Sequence, residues 1–370
     1  MGAEADSTTA MTTRDPGVNP PDPDEAVIIQ SIADLTASTV RRQYPRGSLA
    51  RRDAHPKHHA IVRAEFRVDE VPADLRHGIF ATPGMYPAWI RFSNGSPTPN
   101  PDARKDQRGM AIKLLDVPGP KMLSGESNGR TQDFVLASAP CFFIRNVRDY
   151  VQFTHAATSN SKLRLLAYFF RGLPWHWRLH ELGALNRSLH HAEDMLVLRY
   201  WSQTPYRLGP HIVKYSARPI RPLAPETAGA GTPDYLRERL AVRLAREAVT
   251  YEFLVQRRTD PAAMPVDDAT IEWDEARAPF ERVATIVIPV QRFDSSAQMT
   301  MAEQISYTPW HTRPEHEPVG VVNRTRRVVY ETVSALRHEL NGTMQCEPVS
   351  LDPEEYARHV SAPAARKEGI

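Results

Sequence analysis

The sequence predicts an α+β fold, with an antiparallel sheet or barrel and helices packed around it. Three observations predict it. Several short segments alternate apolar and charged residues at period two, as a half-buried strand does. They come in runs joined by turn-like links, followed by helical blocks, rather than strand-by-helix as in a doubly wound sheet. Proline is frequent, 32 of 370 residues, which argues against a helix bundle and for many strand ends and ordered loops.

The elements read in order as follows. Residues 1–24, rich in Thr, Pro, Asp and Ala, are expected to be a disordered lead-in. Val27, Ile28, Ile29, Ile32, Leu35 and Val40 mark a packed helix over 26–43. Strands are expected at 61–68 (IVRAEFRV), 88–92 (AWIRF), 110–115 (MAIKLL) and 134–136, with a turn-rich link at 94–102. Residues 163–200 look helical, broken near Gly172–Pro174. Further strands are expected at 211–215, 249–256 and 283–290, and a basic helix with an acidic N-cap over Asp234–Ala248. Residues 323–341 form the clearest helix: Asn323 reads as its cap, Gly342 follows it, and Val322, Val329, Val333, Leu336 and Leu340 make its stripe. Residues 357–370 read as a frayed tail, leaving one domain over 25–356. The Pro/Gly/Ala run at 219–233 is the best linker candidate, but both flanks read as one barrel.

Composition narrows the function classes. The 46 basic and 44 acidic residues nearly cancel, which argues against a general nucleic-acid surface. Cys141 and Cys346 are too few for a disulfide framework and suit a reducing cytoplasm. The most apolar stretch, 163–177, is interrupted by Arg164, Arg171, Gly172 and Pro174, so no transmembrane segment is expected. A buried wall is the expected role of that stretch. The N-terminus lacks a signal-peptide pattern. His311, Glu315 and His316 could ligate a metal, although the surrounding prolines read as well as a stiff loop.

Five segments carry chemistry. They are Arg52-Asp-Ala-His55-Pro-Lys57-His58-His59; Trp89-Ile-Arg91-Phe92-Ser93-Asn94; Asp106-Gln-Arg108-Gly109-Met-Ala-Ile-Lys113; Pro140-Cys-Phe142-Phe143-Ile144-Arg145, read as an apolar strand; and Arg326-Arg-Val-Val-Tyr330 with Arg337 beyond it. Their order and separation resemble the haem catalases, over about residues 46–342. The chain is shorter than a standard catalase. It looks more like the small catalase-related proteins, a group that includes peroxidases and hydroperoxide enzymes such as coral allene oxide synthase.

The resemblance implies a haem b held through Tyr330 as axial ligand. Arg326, four residues earlier on the same helical face, favours the phenolate such a ligand needs. Arg337 lies two turns beyond. The resemblance further implies His55 as the distal proton shuttle, with Ser93 orienting its ring. Arg52 and Arg91 match the arginines that pair with haem propionates, and Phe142 and Phe143 match an aromatic wall. His58 and His59 are rivals to His55. One position departs from the family: Ala137 stands where catalases carry an asparagine that hydrogen-bonds peroxide, with Ser138 beside it.

The implied activity is that of a haem-dependent hydroperoxidase with weak catalase activity, using an organic co-substrate. The alternatives are isomerisation or dehydration of an organic hydroperoxide and, in another class, a non-enzymatic haem-binding protein. A homo-oligomer is compatible with all three.

Overall fold

A computed structural model describes residues 22–126, 129–159, 161–170, 172–173 and 177–361. Along the chain come α1 (Glu25–Gln43), β1 (His58–Val68), β2 (Gly84–Asn94), β3 (Arg108–Leu114), β4 (Gln132–Ala137), α2 (Val147–Thr158), α3 (Lys162–Phe170) and α4 (Leu179–Ser188). Then follow β5 (Tyr200–Trp201), β6 (Tyr206–Leu208), β7 (His211–Pro219), α5 (Tyr235–Leu244), β8 (Val249–Arg257), β9 (Phe280–Ile288), α6 (Ser296–Gln304), α7 (Val321–Asn341) and α8 (Pro353–Ser361). The strands pair antiparallel in the circuit β1–β2–β3–β4–β5–β7–β8–β9 and back to β1, an eight-stranded barrel. The short β6 shares an edge of β7 with β5.

Period-two alternation decides what fills the bore. Phe66, Ile90, Phe92, Met110, Ile112, Phe134, Tyr215 and Phe253 point inward and are buried. Their rings interlock, with centroids 4.8 Å apart for Phe134–Phe253, 5.0 Å for Phe66–Phe253 and 5.1 Å for Phe134–Tyr215. Eight strands enclose just enough room for such side chains. The alternate residues face outward and are covered by helices. Ile61, Trp89 and Leu115 lie under α6 and α8. The stripe of α7 (Val322, Val329, Val333, Leu336) packs with Ile29, Ile32 and Val40 of α1 and Val147 of α2.

Lys113, fully buried on β3, ties the barrel wall to later chain. Its Nζ lies 2.7 Å from Asp133 on β4 and 2.5 Å from Glu347. Asp133 Oδ2 accepts the Thr308 N–H at 2.9 Å.

Several local expectations are corrected. The break expected near Gly172–Pro174 falls between α3 and α4, but the helical reading to 200 runs too long: α4 ends at Ser188, and residues 189–194 carry no helix before β5. Helix α2 was not foreseen. Pro140–Arg145 forms no strand: β4 stops at Ala137, and the Phe142 N–H goes to the carbonyl of Ala269 at 3.0 Å. Asp234 takes the N-cap position of α5, but its carboxylate makes no capping bond: it pairs with Lys57 at 2.8 Å, and Asp102 Oδ2 accepts the Leu236 N–H. Gly320, at φ 88°, precedes α7 as its cap, while Asn323 sits inside the first turn. Residues 357–361, expected in a frayed tail, complete α8, with Val360 fully buried. Residues 1–21 and 362–370 lie outside the described residues.

His311 bonds Thr131, and His316 bonds the Ile79 N–H and the Tyr215 hydroxyl, so the two point into different surroundings. No group of three metal-ligating side chains gathers among the described residues, and no helix there is long and apolar enough to cross a membrane. Cys141 and Cys346 are free thiols.

Buried histidines make stability depend on pH. Burial pulls His58 down to about 4, and His316 and His338 to about 3, from 6.5. Burial also lowers His59. A group with a depressed folded pKa is protonated first in the unfolded chain, so its contribution is lost as pH falls below about 6.5. Each costs up to about 1.4 kcal/mol per pH unit there. Asp133, raised by burial to about 6, acts in the opposite sense, as do Asp53 and Asp106, also raised by burial, but the histidines outnumber them. The melting temperature should therefore fall between pH 7 and pH 5. A flat or rising profile by calorimetry would show that these histidines are not buried neutral.

Candidate active site on the outer face of the barrel

One rung of the sheet builds the first half of the site. His58 pairs with Ser93, Ser93 with Gly109, Gly109 with Ala137 and Ala137 with Trp201. Directly paired residues share a face. Phe92, Met110 and Leu136 fill the bore, so this rung faces outward.

His55 stands just before β1, and its Nδ1 lies 3.0 Å from Ser93 Oγ. A Cβ on Gly109 would fall 2.6 Å from that Nδ1 and 2.8 Å from Ser93 Oγ. The ring therefore lies directly on the Gly109 backbone, where a side chain has no room. The His55 backbone is left-handed, φ 57°, a strain of roughly 1–3 kcal/mol for a residue other than glycine. Two hydrogen bonds hold it there: Arg91 Nη2 donates to the His55 carbonyl at 2.9 Å, and the His55 N–H donates to Gly95 O at 3.3 Å. Burial, then Arg91, Arg326 and Arg52, push its pKa down to about 3. The imidazole is thus neutral at working pH and able to accept a proton.

The rival histidines are engaged elsewhere. His58 Nδ1 lies 3.2 Å from Glu303, and His59 Nε2 lies 2.7 Å from Asn94 Oδ1. Of the three, His55 is the one that meets Ser93.

Three arginines converge at the C-terminal end of α6. Arg91 Nε donates to Ala302 O at 3.0 Å, and Arg52 Nη1 to Glu303 O at 3.1 Å. Arg337 donates to Glu303 O and Gln304 O, each at 2.9 Å, and to Ser306 Oγ at 2.8 Å. Burial lowers all three pKa values, Arg337 to about 9. Glu303 is the acid of this cluster. Burial opposes its charge, but the His58 contact and the fields of Arg52, His58 and Arg91 win and hold it at about 2.

Helix α7 supplies the other half. Arg326 Nη2 donates to the Tyr330 hydroxyl at 3.1 Å, and the guanidinium carbon stands 5.2 Å from that ring's centroid. Arg326 Nη1 lies 3.3 Å from both Thr204 Oγ1 and Asn323 Oδ1. Asn323 is fixed in turn by donating to Pro205 O at 2.8 Å and Val319 O at 3.0 Å. Burial opposes the Arg326 charge, yet its pKa is raised, by Tyr330 first, then Tyr206 and Tyr150. The groups facing its charge are phenols, not carboxylates. Arg326 also depresses His55, which brings the two halves within electrostatic reach.

Phe142 and Phe143 lie 4.9 Å apart, tilted, beside α2, 5.9 Å from Tyr150 and 4.8 Å from Phe153 respectively. Ala137 is on the same face as Ser93, two strands away across Gly109. Ser138 Oγ accepts the Arg108 N–H at 2.8 Å, which ties its side chain to the barrel wall.

No protein-family model and no curated protein sequence matches the chain. Solved structures do. Catalase A from Saccharomyces cerevisiae superposes with a TM-score of 0.63 at 20% identity, over 80% of this chain and 63% of that one. A fungal catalase gives 0.62 at 18%, over 79% and 60%. The fold is catalase-like. A bacterial catalase gives 0.59 at 16%, over 91% of this chain and 63% of that one. The chain thus spans under two thirds of the length of each of these catalases.

Within this catalase-like barrel, sequence reasoning missed Glu303, Thr204 and the positioning role of Asn323. Asn323 carried a signal, a polar residue on the face of α7 that also bears Arg326 and Tyr330. Thr204 and Glu303 carried none: Thr204 lies 122 residues from Arg326, and the cluster that Glu303 joins draws Arg52 from 251 residues away.

Proposed function

We propose that this chain is a haem-dependent hydroperoxidase that reduces hydrogen peroxide or organic peroxides at the expense of an organic co-substrate. The observation that carries the reading is Arg326, a half-buried guanidinium that donates to the Tyr330 hydroxyl and is otherwise anchored by neutral Thr204 and Asn323. A tyrosine held against a guanidinium in this way fits the axial donor that some ferric haems take.

The remaining residues fit the same group. Arg91 and Arg337, both buried, and half-buried Arg52 gather three cations whose hydrogen bonds go to carbonyls, a hydroxyl and the His338 ring. Two propionates would complement them. Phe142 and Phe143 offer an apolar wall for a macrocycle. Bound there, haem b supplies the two-electron cleavage of the peroxide O–O bond.

The chain supplies the proton transfers. Neutral His55 accepts the proton of the first peroxide oxygen and returns it to the second, which leaves as water or an alcohol. Ser93 holds the ring through Nδ1, and Gly109 leaves it room. Two electrons from the organic co-substrate, with its protons, complete the balance. A strained, hydrogen-bonded histidine beside the Tyr330 helix favours this over a non-enzymatic haem carrier, which has no use for a proton shuttle. Ala137 removes the amide that would hold a second hydrogen peroxide, which favours peroxidase over dismutation. It equally suits the second reading, isomerisation of an organic hydroperoxide with no external reductant. Holoprotein assayed with hydrogen peroxide and a dye, and separately with a fatty-acid hydroperoxide alone, separates the two. The free thiols support a reducing, cytoplasmic compartment.

Tyr330→Phe should lose the ferric tyrosinate absorption or the haem itself; an unchanged spectrum would rule out Tyr330 as ligand.

His55→Ala should keep haem but react with peroxide about 10²-fold more slowly, the usual scale of general acid–base assistance. Gly109→Ala should reproduce that loss by displacing the ring. If His58→Ala or His59→Ala shows the pattern and His55→Ala does not, the shuttle is misassigned.

Ala137→Asn should raise oxygen evolution relative to dye oxidation, by about 1–3 kcal/mol at most, the worth of one hydrogen bond to a buried group. A wild type already evolving oxygen as fast as an efficient catalase would overturn the argument from Ala137.

A further inference from the structure

We propose that the surface formed by α3 and the start of α4 docks on an anionic lipid membrane. The proposal stands independently of the haem chemistry.

Helix α3 has two unlike faces. Tyr168 and Phe169 are buried and pack with Phe153 and Ala156 of α2 and Leu182 and Leu185 of α4. The opposite face leaves Leu163 75% exposed and Leu166 55% exposed, three residues apart and so adjacent on the helix. Leu173, Trp177 and Leu179 (55%) extend the exposed apolar set beyond the helix. Exposed leucines in a stretch expected from the sequence to be a buried wall mark an interaction site.

The platform is fixed rather than loose. The Arg178 N–H donates to Phe169 O at 2.9 Å, and Arg178 Nη1 donates to Tyr168 O at 2.8 Å. Arg178 also pairs with Asp149 on α2 at 2.9 Å. The ring of Trp177 meets Phe170 edge-on at 5.3 Å. Leu163 and Leu166 are thus presented from a helix held against α2 and α4.

Charge selects the partner. From Lys162 to His180 the sequence carries Lys162, Arg164, Arg171 and Arg178 and no Asp or Glu. Lys162 and Arg164 flank Leu163 on the exposed side of α3 and pair with no carboxylate among the described residues. Exposed Leu and Trp amid basic residues is the composition of a helix lying in a membrane interface, with apolar side chains among the acyl chains and cations on the headgroups. A second copy of the chain fits less well. A two-fold interface brings the same patch against itself, and these cations would then face one another.

The test is co-sedimentation of the full chain with vesicles. It should bind phosphatidylcholine vesicles containing about one third phosphatidylglycerol, and bind pure phosphatidylcholine far less. Lys162→Ala with Arg164→Ala should weaken binding about 30-fold, from roughly fivefold per basic residue. Leu163→Ser with Leu166→Ser should weaken it about tenfold or more. Both pairs are exposed, so melting curves should match the wild type and separate lost docking from lost folding. No binding to anionic vesicles by the wild type would overturn the proposal, as would binding that neither pair alters. So would a wild-type oligomer that ignores vesicles and becomes monomeric on Leu163→Ser with Leu166→Ser, which would assign the surface to a second copy.

Discussion

The bore of the barrel is full. Phe66, Phe134, Tyr215 and Phe253 interlock at centroid spacings near 5 Å, and eight strands leave no further room. Everything else follows from that constraint. A site for any larger group has to lie outside the wall, where the alternate residues of each strand point. Helices must then cover that outer face, and they do so in two sets, α6 with α8 and α7 with α1 and α2. Ser93 and Arg91 come from the wall, Tyr330 and Arg326 from the cover. The site is the seam between them.

Charge in this seam is handled in two ways. Arg52, Arg91 and Arg337 are kept together by carbonyls at the end of α6, with Glu303 the acid beside them. Arg326 is fixed by neutral Thr204 and Asn323, which fix its position without answering its charge. A half-buried cation with neutral anchors keeps its influence on the next polar group. Here that group is the Tyr330 hydroxyl. Replacing Asn323 by an acid would satisfy Arg326 and weaken its hold on the phenol.

What the sequence made legible was local. Period-two alternation located β1, β2, β3, β8 and β9, because each buries one face of a continuous segment. Arg326 and Tyr330 could be paired because one turn of helix brings them together. The five motifs and their order pointed to the catalase-like architecture that the superpositions show. What stayed hidden depends on distant chain. Asp234 looked like a cap because nothing local reveals that Lys57 takes its carboxylate and Asp102 takes the vacated N–H. Pro140–Arg145 looked like a strand because its apolar run matches one, but its neighbour β4 has ended and Phe142 hydrogen-bonds across to Ala269. The exposed leucines of α3 show the same limit: apolar content predicts burial only when something lies opposite.

The rung His58–Ser93–Gly109–Ala137–Trp201 has a consequence for how such a chain can diverge. Inserting or deleting one residue within β2, β3 or β4 would turn its outward positions into the packed bore, carrying a serine hydroxyl among phenylalanines or closing the space that Gly109 keeps open. Changes of chain length are therefore confined to the connecting loops. Substitution along the rung is less restricted, since each side chain there meets the seam rather than the core. Ala137 can vary without disturbing a single aromatic contact in the bore. Lineages of this barrel can thus drift far in overall sequence while keeping strand lengths, and can retune the pocket one position at a time.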